Sequence, residues 1–413
     1  MDRDRIDIYL LMVSRISRSL AAGFLSVIIG IYYLYIGLNT IQVGILFAIG
    51  AFVNPLFSLL FSVNADRYGR KPFLLLSTSF LPISLVILLF TKYFPLLALS
   101  AVLGGFGIAG GLIGGGVGAI VAPIQSAILA EKTKKEDFTK IYSLFTTIST
   151  YSGAAGALLA GINDYRILFL LGILLSTLSF IFVIPVTEKK SSDLKEKPIE
   201  ISTNNKNSKN NDNNNNRNRD IIKKFTYTGL FNGLSQGLIV PFIPIVFEKF
   251  YNLPQAEIGY IVSIGGIVSA SLILLTPKLN ERLGFVRLII YTRLVSTILT
   301  FVFPFLRYDL LAALDYAVFT SFRAISLPAQ QALMMSLVSS NRRATTSGTN
   351  QTARLLSLAS STLLSGFLLS VSVILPFTAA FFTNSLNLWL YYKFFWNVPE
   401  AREKKRIDRL NVE

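Results

Sequence analysis

NADRYGRKPF, residues 64–73, packs Asp66, Arg67, Arg70 and Lys71 into six positions between two long apolar runs. The surrounding chain is 413 residues long, 52% hydrophobic and only 15% charged, with a mean hydropathy of +0.55. A soluble domain carries nearer a quarter charged residues. Apolar runs of about twenty residues, enough to cross a hydrocarbon core of roughly 30 Å, recur along most of the length. The charged knot is therefore a turn between two membrane crossings. No cleavable signal peptide is visible: MDRDRIDIY alternates acid and base and then enters a segment too long for a signal core. Cysteine and histidine are both absent, which excludes disulfides and thiolate or imidazole metal sites and leaves carboxylates to carry any coupling proton.

Long apolar helices are expected near 9–36, 40–62, 73–91, 95–130, 138–162 and 166–187, then 223–248, 257–278, 286–306, 309–337, 344–370 and 372–396. The fourth is too long for one simple crossing, and its stretch 104–118 holds nine glycines, suited to a bend or to close helix packing. This is an all-α polytopic membrane protein with twelve transmembrane helices. Residues 1–187 and 223–396 form two six-helix bundles, and 397–413 form a tail. Residues 188–222 read as a disordered linker, because ten of the fifteen residues 204–218 are asparagine and have nothing to bury. Of 39 Lys and Arg, 29 fall on the termini and the loops after even-numbered spans, against four on the opposite loops. Basic residues gather on the cytoplasmic side, so both termini are expected there, in the cell membrane. The net charge of +16 is then an orientation signal rather than a nucleic-acid surface.

The two bundles echo each other. LNTIQVG at 38–44 aligns with LPQAEIG at 253–259 at an offset of 215, which also carries Gly50 onto Gly265, Asp66–Arg67 onto Glu281–Arg282, and Gly69 onto Gly284. APIQSAILAE at 122–131 meets LPAQQALMMS at 327–336 at an offset of 205, a register that continues to Gly161 and Gly366. Six spans repeated in one orientation make a parallel repeat about an axis along the membrane normal.

The D-R-x-G-R-K knot, its echo NERLGF at 280–285 and the P-x-Q-x-A segments of spans 4 and 10 together resemble the major facilitator superfamily of secondary transporters. That resemblance implies a conformational latch. Gly69 permits the tight reversal. Asp66 would meet the N-terminus of span 11, where the helix dipole favours an anion, and Arg70 would reach Glu131. The family usually has glycine where Ser62 stands, so this packing is looser. The second copy, with Glu281, Arg282 and Gly284 but Pro277 and Phe285–Val286 at the matching places, is a weaker latch.

The resemblance also implies a central cavity lined mainly by spans 1, 4, 7 and 10. Polar stripes mark candidate substrate or coupling residues: Arg15, Arg18, Ser26 and Tyr33 in span 1, within about 80° of one face; Gln125 in span 4; Asn232 and Gln236 in span 7, ahead of the helix-bending Pro241 and Pro244; Asp315, Arg323 and Gln330 in span 10; Asn350 and Arg354 in span 11. Arg15 and Arg18 either line the cavity or snorkel to the cytoplasmic face. Asp315 is a proton carrier, a counter-ion to Arg323 or Arg354, or a wetted residue near the outer end. Drug–proton antiporters of this superfamily usually carry a Gly-Pro motif in span 5 and an Arg in span 4. This chain has SGAAGALLAG at 152–161, with Ala157 where that proline would sit, and no basic residue between Lys92 and Lys132.

The expected function is secondary transport of a small solute by a monomer in a lipid bilayer, powered by a proton or other ion gradient, with no enzyme activity, cofactor, metal or nucleic-acid partner. No G-x-x-x-x-G-K-[ST] nucleotide loop occurs. Export of drugs or metabolites, import or facilitated passage of a small organic and anionic solute, and a non-transporting membrane sensor stay open as alternatives.

Overall fold

A computed structural model describes residues 3–107, 121–133, 138–188, 208–338 and 343–398. Among these, fifteen α-helices and no strand occur. The first half holds α1 (Arg3–Tyr35), α2 (Thr40–Tyr68), α3 (Arg70–Phe90), α4 (Phe94–Gly104), α5 (Val121–Lys132), α6 (Phe138–Leu158) and α7 (Tyr165–Val183). The second holds α8 (Ser208–Ile239), α9 (Ile243–Phe250), α10 (Gln255–Ile273), α11 (Thr276–Leu283), α12 (Phe285–Val302), α13 (Asp309–Leu337), α14 (Arg343–Val371) and α15 (Ile374–Phe395). Nine helical stretches among the described residues are long and apolar enough to cross a membrane. With α6, α15 and a fourth crossing to which α4 and α5 belong added to these nine, the order is that of close to twelve crossings.

Local chemistry sets the boundaries. Asn39 opens α2 with a capping box: its Oδ1 accepts from Gln42 N at 2.8 Å, while Gln42 Oε1 accepts from Asn39 N at 3.0 Å. Asp164 caps α7 through Arg166 N at 2.7 Å. Gly69, at φ +104°, reverses the chain between α2 and α3, and Gly284, at φ +76°, does the same between α11 and α12. Pro241 and Pro244 break the seventh crossing into α8, one turn of 3₁₀ helix and α9.

Three boundaries differ from the sequence expectation. Helix α8 begins at Ser208, inside the segment read as a disordered linker. Asparagine lowers helix propensity by only some tenths of a kcal/mol per residue, so a helix nucleated by the packed Phe225 region propagates back into the tract. Residues 189–207 lie outside the described residues, as do 108–120, most of the glycine-rich stretch, and the tail from 399. Helix α2 runs on to Tyr68, so Asp66 and Arg67 belong to its last turn and only Gly69 leaves the helix. Helix α1 starts at Arg3, its first turns held by ion pairs described below.

Within the first half α1 packs on α6 and α7; within the second, α8 packs on α14 and α15, the matching pairs of the repeat. Between the halves, α2 packs on α14 and α6 on α10. Apolar packing divides unequally along the membrane normal. At the end away from the termini one cluster joins both halves, with Tyr33, Phe47 and Ala157 from the first against Phe242, Ile245, Phe247 and Ile258 from the second. At the terminal end each half has its own: Leu11, Leu74, Ile124 and Val183 in one, Phe225, Val286, Leu333 and Phe395 in the other.

Candidate functional site

One apolar cluster joins the halves at the far end and each half keeps its own at the terminal end, while at mid-span of the second half a set of polar side chains gathers on α8, α13 and α14. Arg323 is the middle residue of the 29-residue α13, and Arg354 lies three residues before the middle of the 29-residue α14. Arg323 Nη2 donates to Asn232 Oδ1 at 3.1 Å and to Ser235 Oγ at 3.2 Å. Gln236 Nε2 donates to the same Asn232 Oδ1 at 3.2 Å, and Gln236 Oε1 accepts from Arg354 Nη1 at 3.2 Å. Arg354 Nε and Nη2 both reach Gln351 Oε1, at 3.2 and 3.1 Å. One relay of amides thus links two mid-span guanidiniums. The helix spacing creates it: Asn232 and Gln236 are four residues apart on α8, one above the other.

An Arg at mid-span costs about 2.5–3.5 kcal/mol or more without compensation. Hydrogen bonds to charged groups return about 1.5–3 kcal/mol each, so the relay holds the guanidiniums in place while leaving their charge unneutralised. Among the described residues no carboxylate lies within ion-pair distance of Arg323 or Arg354. Asp315 is eight residues from Arg323, about 12 Å along the helix at 1.5 Å per residue. It is 9% exposed, and its Oδ2 has no hydrogen-bond partner among the described residues. The counter-ion reading of Asp315 is therefore corrected: the two groups sit two turns apart on one helix.

Gln330 and Asn350 join a different centre, around Arg293 of α12. Arg293 donates to Ser326 Oγ at 3.1 Å, Asn387 Oδ1 at 2.6 Å and Gln330 Oε1, and lies 4.9 Å from the Tyr391 ring centroid. Gln330 Nε2 reaches Asn350 Oδ1 at 3.5 Å, and Asn350 Nδ2 ties α14 to Phe225 O of α8. This centre is a sealed brace between helices. The sequence showed Arg293 as a basic residue in a span; its partners come from two other helices, α13 and α15, which no local pattern reveals.

In the first half the candidates are drawn inward. Arg15 Nε donates to Ser149 Oγ at 2.8 Å and sits 5.6 Å from the Phe145 ring centroid; Arg18 is 4% exposed. Gln125 Nε2 joins α5 to Leu11 O at 3.2 Å. Ser26 bonds its own helix at Gly23 O, and Tyr33 is fully buried in the far-end apolar cluster. Neither belongs to the relay.

At the terminal end Arg70 Nη1 and Glu131 Oε1 form an ion pair. Glu188, just beyond α7, caps α3 by accepting from Arg70 N and, at 3.1 Å, from Lys71 N. The side chains of Asp66 and Arg67 lie outside the described residues. Glu281 and Arg282 are exposed. A second brace was not foreseen: Lys132 Nζ reaches Asp7 Oδ2 at 2.8 Å, Asp4 Oδ1 at 3.0 Å and Thr187 Oγ1 at 2.9 Å. Burial pulls the Lys132 ammonium down, but its bonds to Asp7 and Asp4 outweigh this and hold it above the usual lysine value.

The sequence comparisons bear on this arrangement as a whole. A family model described as Major Facilitator Superfamily matches residues 11–362. The chain belongs to the major facilitator superfamily. It is a multi-pass membrane transporter of that family and not an enzyme. An uncharacterized MFS-type transporter of Methanocaldococcus jannaschii is 22% identical over 303 residues, covering 70% of this chain and 72% of that one. Among solved structures the nucleoside transporter NupG matches with a TM-score of 0.71 at 14% identity, over 96% of this chain and 99% of that one. A D-xylose–proton symporter matches with a TM-score of 0.69 at 12% identity, over 97% and 98%. These structures share the fold with this chain.

Proposed function

We propose that the protein carries a small polar solute across the cell membrane by alternating access, with both termini cytoplasmic and the captured form open to the cytoplasm. The unequal division of apolar packing carries this reading: one cluster spans both halves at the far end, and each half keeps its own at the terminal end. Rocking the two halves against each other would exchange which end is sealed. The excess of basic residues on the terminal side supports the orientation. The Asp66–Lys71 turn, tied to α5 by the Arg70–Glu131 pair that is already formed in this state, acts in this scheme as the latch that docks against α14 when the cytoplasmic end closes. Asp315 is the carboxylate that would carry a coupling proton.

The absence of native cysteine makes the test direct. A Cβ built on Gly161 lies 3.6 Å from Ala256 Cβ across the two halves, within the ~3.5–4.5 Å a disulfide spans. Gly161→Cys with Ala256→Cys, oxidised, should fix the far end shut. Proteoliposomes offered a metabolite extract should then stop accumulating solute, and a reductant should restore uptake. Equal accumulation by the oxidised form would refute alternating access here.

A further inference from the structure

We propose that the cargo is a small organic anion whose carboxylate or phosphate head is held by Arg323 and Arg354, an assignment that rests on the transport reading above. The first support is unspent hydrogen-bonding capacity. Arg323 uses only Nη2; its Nε and Nη1 make no hydrogen bond among the described residues and are not sealed from solvent. The free Nε–H and Nη1–H point to different edges of the guanidinium, so each can donate a charge-assisted hydrogen bond to a carboxylate or phosphate oxygen.

The second is the quality of the present partners. Arg354 is satisfied by neutral amide oxygens of Gln236 and Gln351, and Gln351 is an exposed, rotatable side chain. An anionic head is a stronger acceptor and can take Gln351's place without disturbing the helices. The third is contrast within the same half. Arg293 also lacks a carboxylate, but Ser326, Asn387 and Gln330 consume its donors and it is 6% exposed. Nature of burial, not mere presence of charge, separates a brace from a site. Arg323 and Arg354 sit at mid-helix, partly exposed and with their charge unneutralised, the placement that marks an ion or substrate pathway in a membrane.

Gln351→Cys provides a single thiol beside the relay in an otherwise cysteine-free chain. Its modification by negatively and positively charged methanethiosulfonates of matched size reports the local field. The negative reagent should react at least about tenfold faster relative to a free thiol, as a steered association would. Arg323→Gln and Arg354→Gln together should erase that preference. A panel of benzoate, succinate, glycerol 3-phosphate and their neutral amide or alcohol counterparts then tests protection of the thiol. Slowing by an anion but not its neutral counterpart, lost in either Arg→Gln variant and partly kept in Arg354→Lys, is the expected result. No charge preference, no protection by any anion, or equal protection by neutral compounds overturns the assignment. Protection present in phosphatidylglycerol nanodiscs and absent in phosphatidylcholine ones would also overturn it, by making a lipid headgroup the occupant. Because the thiol is read in the captured form, this outcome is independent of whether the halves rock, which the Gly161–Ala256 disulfide decides.

Discussion

Gly366→Ala should open the far end. Gly366 of α14 faces Gly44 of α2 across the two halves, and a Cβ built there lies 2.8 Å from Thr40 O and 2.9 Å from Gly44 Cα. Both neighbours are backbone and cannot rotate aside, so the helices must part by several tenths of an ångström. Overpacking of this kind costs about 1–3 kcal/mol. The contact exists only while the far end is sealed, so the whole penalty falls on that state and shifts the balance between states by ~5- to ~150-fold. Spin labels on Tyr93→Cys at the head of α4 and Tyr308→Cys at the head of α13, exposed 67% and 72%, report the far-end separation. The longer-distance population should grow. Gly233→Ala is the control: its Cβ would meet Arg354 O at 2.0 Å, but α8 and α14 belong to one half and stay together in both states. That variant should lose thermal stability without altering the distances. If Gly366→Ala behaves like Gly233→Ala, the seal between α2 and α14 is not a moving interface and the reasoning fails.

Other outcomes follow from the same contacts. Gln255→Ala removes the amide that donates to Ala160 O at 2.7 Å and Ile162 O at 3.3 Å across the halves. At about 1 kcal/mol of net hydrogen bonding it should lengthen the same spin-label distance, by roughly 5-fold in population. Lys132→Met leaves the fully buried Asp7 without its main cation, which should lower stability by about 3–5 kcal/mol, with Asp7→Asn restoring most of it in the double variant. Because the Lys132 ammonium is held above its ordinary 10.5, its pairing stabilises fully below that pH and is lost as the pH rises beyond it. The melting temperature should therefore fall above about pH 10.5 in the parent and not in Lys132→Met. Asp315→Asn should abolish pH-gradient-driven accumulation while leaving solute counterflow intact; accumulation unchanged from the parent would remove Asp315 from coupling.

The layout of this protein was legible because its crossings are written in hydropathy and its orientation in charge. The tenth span, expected at 309–337, is found as Asp309–Leu337 because polar Arg307, Tyr308 and Asp309 stop the preceding run cleanly. The start of α8 was not legible, since a tract of asparagine joins a helix only when a packed neighbour has already nucleated one. For the site, i, i+4 spacing was enough to put Asn232 beside Gln236, and the span boundaries were enough to place Arg323 and Arg354 deep within their helices. Choice of partner was a different matter. That Arg323 cannot meet Asp315 follows from their eight-residue separation on one helix, but that it meets Asn232 depends on how far α8 lies from α13, a tertiary distance absent from either helix's own sequence. Glu188 caps α3 from 118 residues away, and Arg293 recruits Asn387 from 94 residues away.

The placement of charge also explains why such a molecule could move without coming apart. Arg70 with Glu131, Lys132 with Asp4 and Asp7, and Lys224 with Asp220 each lie within one half. Contacts across the halves are of another kind: aromatic and aliphatic packing around Tyr33, Phe47 and Phe242, close backbone approach at Gly44 and Gly366, and the neutral amide of Gln255. In a bilayer, lipid tails can replace apolar contacts at little loss, whereas an ion pair separated there would expose uncompensated charge. Parting the far end therefore breaks weak, replaceable interactions and leaves those pairs whole. Substituting an ion pair for an apolar contact across the seal, for instance Phe47→Glu with Phe242→Arg in place of rings whose centroids lie 5.8 Å apart, should hold the far end shut. A spin-label distance as broad as the parent's would show that the chemistry of the interface does not set its mobility.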